Sequence, residues 1–249
     1  MKTHASTDVI RYARRWIVAG LVLLACHGCA TAPSSDPRDP IEGFNRGIYA
    51  FNEELDAAVF KPAATVYRDV TPVLVRRGVG NFLSNLDDAW SFVNNLLQFK
   101  GRNAMDNFFR FGVNSTMGLL GIFDVASEMQ IERHSEDFGQ TLGRWGVGPG
   151  PYLVLPFFGP STFRDAVALP VDMTGDIVSY TSHIPTRNTL RVVNVLDTRA
   201  GLLGVTSALD EVALDKYSFT RDAFLQRRRN AVYDGDPPEE DSVTDSPRQ

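Results

Sequence analysis

The residues best suited to chemistry by type and spacing are two cysteines near the start of the chain. Cys26 and Cys29 are separated by two residues, a spacing found in redox and zinc-binding motifs. Here, however, they directly follow the uninterrupted apolar run Trp16–Ala25, which is itself preceded by a basic segment. That order is typical of a secretory signal peptide. The chemistry that we expect is therefore acylation of a cysteine thiol.

A signal peptide that ends at a cysteine indicates a bacterial lipoprotein. We predict that residues 1–25 are removed and that Cys26, which follows Leu24-Ala25, carries the lipid. Cys29, preceded by Gly28, is the alternative acceptor, and an ordinary signal peptide is the competing interpretation. The apolar run is too short for a transmembrane anchor, which needs about 20 residues.

Elsewhere in the chain, no set of residues has the spacing of a catalytic centre. There is no Gly-x-Ser-x-Gly motif, and the two histidines beyond the cysteines, His134 and His183, have no recognisable partner pattern. Adjacent carboxylates such as Asp87 and Asp88 project to different sides of a helix. We therefore expect no enzyme activity, no metal site and no cofactor.

One basic cluster, Arg227-Arg228-Arg229, has two interpretations. Cations near a helix C-terminus complement the helix dipole. Alternatively, the cluster contacts the phosphates of phospholipid or lipopolysaccharide. Three consecutive residues fan around a helix instead of forming one patch, which favours the first interpretation.

Composition sets the domain organisation and excludes one class of partner. The whole chain carries a formal charge of −5, and removal of residues 1–25 leaves 21 basic against 29 acidic residues, or −8. Such a chain is not expected to bind nucleic acid. Residues 26–39 read as a flexible tether, residues 40–233 as one folded domain, and residues 234–249 as a disordered acidic tail.

Helical periodicity dominates the folded part and predicts an all-α, single-domain fold. The chain contains 16 Phe, an excess which indicates that some apolar faces contact lipid or a lipid path instead of the core. On the first helix, Phe44 and Phe51 are candidates for such contacts. The predicted helices span about 42–59, 81–99, 102–117, 186–208 and 211–233, with a new segment starting at Pro62 and another helix start at Thr71-Pro72.

Residues 143–160 differ from the rest, with five Gly and four Pro among eighteen residues. The prolines exclude regular helix, and the Gly-x-Gly-x-Gly pattern lacks the strand and helix of a phosphate loop. We predict an irregular apolar loop or hairpin that is buried or faces membrane, with glycines as the hinges of a gate. Its candidate channel residues are Gly148, Gly150, Tyr152, Leu153, Val154, Leu155, Phe157 and Phe158.

Three stretches together resemble one known family. They are DPIEGFNR from Asp39 followed by Phe51-Asn52; EDFGQTLG from Glu136 followed by GPY and LPF; and Asp215-Lys216-Tyr217 with Arg221. Over residues 39–233, the chain is similar to the MlaA/VacJ family of outer-membrane lipoproteins.

The resemblance implies a ring-shaped, all-helical protein in the inner leaflet of the outer membrane, with a central amphipathic channel. It also implies association with a porin trimer. The implied function is non-enzymatic removal of mislocalised phospholipids from the outer leaflet, for retrograde transfer to an MlaC-like periplasmic carrier. This removal maintains lipid asymmetry. A structural or adaptor lipoprotein that docks on porins is the alternative.

Overall fold

Helices make up most of the fold, as the sequence predicted. The computed structural model describes residues 36–239, so Cys26, Cys29 and residues 240–249 of the predicted tail lie outside the described residues. Within residues 36–239, the only sheet is a two-stranded hairpin. No helix in that range combines the length and the hydropathy needed to cross a bilayer.

The N-terminal helix continues through Pro62, so the predicted break there is wrong. A proline ring normally clashes with the carbonyl group four residues earlier. Here the turn before it is π-helical, with the Lys61 N–H bonded to the Asp56 carbonyl, and this wider turn accommodates the ring. The segments are α1 (Glu42–Leu55), the π segment (Asp56–Phe60) and α2 (Lys61–Val70).

The next two helices form a helical hairpin, and its first helix begins directly after Pro72, at the start predicted from Thr71-Pro72. Gly78 and Gly80 lie inside its first helix, where a Cβ would come within 3.1 Å of Ile122 and 3.2 Å of Asp197. The prediction of a separate helix from residue 81 is wrong, because these glycines serve close packing and do not interrupt the helix. The pair consists of α3 (Val73–Leu97) and α4 (Gly101–Thr116).

The Gly/Pro-rich segment forms a β-hairpin between helices. Tyr152 pairs with Thr162 and Leu155 with Gly159, and the chain reverses through Phe157, whose φ is 68°. The elements of this region are α5 (Val125–Glu128), α6 (Phe138–Arg144), β1 (Tyr152–Leu155), β2 (Gly159–Thr162) and α7 (Phe163–Gly175).

Two long helices complete the fold close to their predicted positions. The break between them lies at residues 213–215, a few residues later than predicted, because Asp215 caps the last helix by accepting from the N–H groups of Tyr217 and Ser218. A 3₁₀ turn (Ile177–Tyr180) leads into α8 (Ile184–Val212), which is followed by α9 (Lys216–Val232).

The buried faces of α3 and α4 are mostly polar. Five asparagines on these two helices are at most 1% exposed, and Arg110 lies buried between Asp88 and Asp124. Each buried amide forms hydrogen bonds; Asn107, for example, bonds to both the N–H and the carbonyl of His134. The five are Asn85, Asn94, Asn95, Asn107 and Asn114.

The outer surface, by contrast, is rich in large apolar residues. Ten of the sixteen phenylalanines are exposed, and the buried apolar clusters are small. The apolar side chains along one face of α3 are mostly half buried, and its Val93 is exposed. Exposed apolar residues of this kind mark surfaces that contact lipid or protein where they form contiguous patches.

Candidate functional site

A cleft of about 810 Å³ lies among α1, the π segment, the hairpin tip, α8 and the start of α9. We call it the main cleft. Its lining is amphipathic, which suits a ligand with both apolar and charged parts. The apolar lining includes Phe60, Phe157, Phe158, Val195, Leu202 and Leu209, and the charged lining comprises Glu53, Asp56, Lys61, Arg199, Asp210 and Lys216.

Two ion-pair groups organise the charged lining. Arg199 binds Asp56 through two parallel hydrogen bonds of 2.7 Å each, which is strong bidentate geometry. Asp210 pairs with Lys216 and lies 3.9 Å from the Lys61 Nζ atom. Among the residues that the structure describes, Glu53 forms no ion pair.

The carboxylates of the cleft raise the pKa of two of its cations, and one carboxylate forms no ion pair among the described residues. Asp56 raises the pKa of Arg199, and Asp210 raises the pKa of Lys216. Partial burial raises the pKa of Glu53, and the carboxylates of Asp56 and Asp210 add to that effect, against the opposing charge of Lys216.

The hairpin is held against α1 by two asparagines that are two helical turns apart. The Asn45 amide donates to the Tyr152 carbonyl at 3.0 Å and accepts from the Val154 N–H at 2.9 Å. Asn52 repeats this pattern at the tip, between Leu155 and Phe157. Each side chain thus mimics a neighbouring strand, which fixes the hairpin tip at the edge of the main cleft.

The base of the hairpin rests on a buried polar network from the last helix. The Tyr217 hydroxyl donates to Asp39 at 2.5 Å, and Asp39 also accepts from Asn45 at 2.8 Å. Arg221 lies 3.6 Å from the same carboxylate. Burial and the hydrogen bond to Asp39 both raise the pKa of Tyr217. The network joins the start of the fold to α9 beneath the hairpin.

The structure divides the predicted channel residues into two groups. Tyr152 is fully buried and Val154 is 2% exposed, both in the cluster with Tyr217, while Leu153 and Leu155 are half buried. Phe157 and Phe158, in contrast, are 68% and 61% exposed and line the main cleft. Alternation along β1 therefore directs one face of the segment to the core, and the turn presents the aromatic tip.

The other predicted site residues lie around this tip to different extents. Phe51 contacts Phe157 edge to face, with ring centres 5.6 Å apart, whereas Phe44 is exposed and does not line the main cleft. Gly148 is exposed with open space around it. Gly150 has a φ of +66°, and a Cβ there would lie 3.0 Å from that of Phe163.

The three consecutive arginines have separate environments. Arg228 is bound by Asp137 and Asp165 together, with contacts of 2.5 to 2.9 Å that join α9 to α6 and α7. Arg229 contacts the Pro238 carbonyl, and Arg227 is exposed. Arg228 therefore joins helices within the fold, and the three side chains do not form one patch.

Sequence reasoning missed the charged half of the main cleft and the asparagine pair. Asp56 and Arg199 are 143 positions apart and meet only through the packing of α8. The spacing of Asn45 and Asn52, which puts both on one face of α1, was the available signal. Across residues 36–239, no group of three or more His, Cys, Asp and Glu could hold a metal ion.

Comparisons with a family model, with named proteins and with a solved structure agree with one another. The model of the MlaA lipoprotein family matches residues 37–231. Two proteins named "Intermembrane phospholipid transport system lipoprotein MlaA", from Shigella flexneri and Escherichia coli (strain K12), are each 36% identical to this chain over 217 residues, 85% of either chain. A chain solved in work on the structural basis for maintenance of bacterial outer membrane lipid asymmetry superposes with a TM-score of 0.69 at 36% identity, over 78% of this chain and 98% of that one.

Proposed function

Because the chain belongs to the MlaA lipoprotein family, we propose that it is a non-enzymatic component of intermembrane phospholipid transport. It removes mislocalised phospholipids from the outer leaflet of the outer membrane and passes them to a periplasmic carrier, which maintains lipid asymmetry. Its relatives' name supplies the transport system, and the direction of transfer is part of the proposal.

The observation that carries the proposal is the distribution of polar and apolar residues. Asparagines are buried on α3 and α4, while ten phenylalanines are exposed at the surface. In hydrocarbon, exposed apolar residues are favourable and buried polar groups must find partners inside the protein. The main cleft adds a path with apolar and charged walls, so a lipid headgroup can move without direct exposure to hydrocarbon.

This distribution also supports a location and partners. The protein is anchored by Cys26, or by Cys29, on the periplasmic side of the outer membrane, and its apolar surface sits in the inner leaflet. A porin trimer holds it there, and an MlaC-like carrier receives the lipid. Transport of this kind breaks no covalent bond, so it needs neither a catalytic group nor a cofactor.

A deletion strain tests the proposed function. We expect cells that lack the protein to accumulate outer-leaflet phospholipid and to become sensitive to detergent, and expression of the full chain to reverse both effects. Unchanged lipid asymmetry in the deletion strain would refute the proposal.

A porin-docking adaptor is the second candidate, favoured by an apolar groove of about 780 Å³ between α3, the segment before α5, and α8. The groove is lined by side chains such as Leu74, Phe82 and Phe123. Purification in mild detergent separates the two candidates. Co-purified phospholipid supports transport, whereas a porin without lipid supports the adaptor.

A further inference from the structure

We propose that the main cleft selects phospholipids whose headgroup carries a primary ammonium, and that Glu53 binds this ammonium. The inference rests on the proposed function, since it names the lipid class that the cleft prefers. The ion pairs among the six charged residues of the cleft support this inference.

The cleft is neutral as a whole but not locally. Its three acidic and three basic side chains balance, and Arg199 and Asp56 neutralise each other in a bidentate pair. Two lysines, Lys61 and Lys216, share the single carboxylate of Asp210. That corner therefore keeps a net positive charge, while Glu53, which has no ion pair among the described residues, keeps a net negative one.

A zwitterionic headgroup matches this separation of charge. Its phosphate would bind the two lysines, whose ammonium groups present rotatable donors to an anion. Its primary ammonium would bind Glu53 in a charge-assisted hydrogen bond. Arg199 is occupied by Asp56, which leaves the lysines as the cations available for phosphate.

The helical geometry directs Glu53, but not the adjacent carboxylate Glu54, into the cleft. Tyr49, Glu53 and the π segment follow one another at about one-turn spacing along the cleft wall. Glu53 and the next residue, Glu54, are both exposed, but Glu54 does not line the cleft. The chain thus offers a matched control, with the same side chain one position away.

An anionic headgroup without an ammonium fits less well. Phosphatidylglycerol would satisfy the lysines but leave Glu53 without a partner and close to a negative phosphate. Phosphatidylethanolamine satisfies both ends of the cleft. The selection therefore depends on one carboxylate, because that carboxylate contacts the part of the headgroup in which the two lipids differ.

A competition experiment tests this selection. Full-length protein, purified in mild detergent, is incubated with mixed micelles of equimolar phosphatidylethanolamine and phosphatidylglycerol, re-isolated, and its bound lipids are quantified by mass spectrometry. We expect wild type to retain more phosphatidylethanolamine, and Glu53→Gln to lower the ratio roughly threefold, as for one partly exposed ion pair. Glu54→Gln should keep the wild-type ratio.

The outcomes separate the two proposals. Bound lipid at a ratio of one or below in wild type, or the same ratio in wild type and Glu53→Gln, overturns the selection and leaves transport standing. Absence of bound lipid from every variant overturns lipid transport itself. The lipid ratio of the wild-type protein is by itself a test of selection. A ratio of one or below in wild type overturns the inference even if Glu53→Gln fails to fold.

Discussion

Asn52 holds Phe157 by its backbone: the Asn52 Oδ1 atom accepts from the Phe157 N–H at 2.9 Å. Its Nδ2 atom donates to the Leu155 carbonyl at 3.0 Å, so one amide spans the hairpin turn. The ring of Phe157 meanwhile packs on Phe51, one residue before Asn52. The aromatic tip of the hairpin is thereby coupled to α1.

Asn52→Ala should release this tip. Loss of two hydrogen bonds at a half-exposed site is expected to destabilise the hairpin by about 1–2 kcal/mol. The amide of Phe157 should then exchange with deuterium several-fold faster. Glu54→Ala, on the same helix but away from the hairpin, should leave this exchange unchanged. Equal exchange in Asn52→Ala and wild type would show that other contacts hold the tip.

Arg228→Ala should be far more damaging than Arg227→Ala. Removal of the Arg228 guanidinium leaves Asp137 and Asp165 without their shared partner, which is expected to cost about 3–5 kcal/mol of folding free energy. Exposed Arg227 should change stability by less than about 0.5 kcal/mol. Chemical denaturation of both variants measures the difference, and comparable losses would contradict the separate environments described for the two residues.

Gly148→Val tests the proposed flexibility of the segment before the hairpin. A Cβ at Gly148 meets open space, so the variant should fold, but a β-branched residue stiffens the backbone and should impair lipid transport. The measurement is outer-leaflet phospholipid in a deletion strain that expresses the variant. Wild-type asymmetry in that strain would argue against a gate.

Gly150→Ala serves as the contrast, because its defect should be one of folding. Gly150 has a φ of +66°, where a side chain costs about 1–2 kcal/mol, and the new Cβ would crowd Phe163. We expect a lower melting temperature for this variant and an unchanged one for Gly148→Val. A wild-type melting temperature for Gly150→Ala would show that the segment relaxes around the added methyl group.

Asp124 should make stability fall at low pH. Burial alone would raise its pKa, but hydrogen bonds from Ser127 and Asn114 and the charge of Arg110 lower it from 3.8 to about 2. A lowered carboxyl pKa contributes stability above the unfolded value that is lost as pH falls through the folded value, here about 2 kcal/mol. Unfolding free energies of wild type and Asp124→Asn should therefore converge by about this amount from about pH 6 to about pH 2. A constant difference would contradict the shift.

Local patterns predicted the helices well and their packing poorly. The apolar periodicity of α3 located a helix, but it did not show that the opposite, asparagine-bearing side is the buried one. Hydrophobic periodicity identifies the buried side of a helix only where the exterior is aqueous, and the proposed contact with lipid removes that condition. The continuous helix across Pro62 depends on a π turn, a change of hydrogen-bond register that residue types alone do not specify.

Only those residues of the main cleft that stand out in a local sequence pattern could be predicted. Phe157 and Phe158 stood out as apolar residues in a turn, and they do line the cleft. Glu53, Arg199 and Lys216 are ordinary charged residues of helices, and they become a site because distant segments meet. Their roles depend on the ion pairs of the cleft. The pair of Arg199 and Asp56, 143 positions apart, forms only in the tertiary structure.

The burial of asparagines on α3 and α4 has a thermodynamic consequence. Burial of amides lowers the heat-capacity increase on unfolding, whereas burial of hydrocarbon raises it. The stability curve should therefore be flatter than that of a protein of equal size with a hydrocarbon core. In lipid, helices gain no hydrophobic free energy from apolar contact alone. Helices joined by hydrogen bonds between buried amides do not depend on that free energy, so their packing also persists where no water is present.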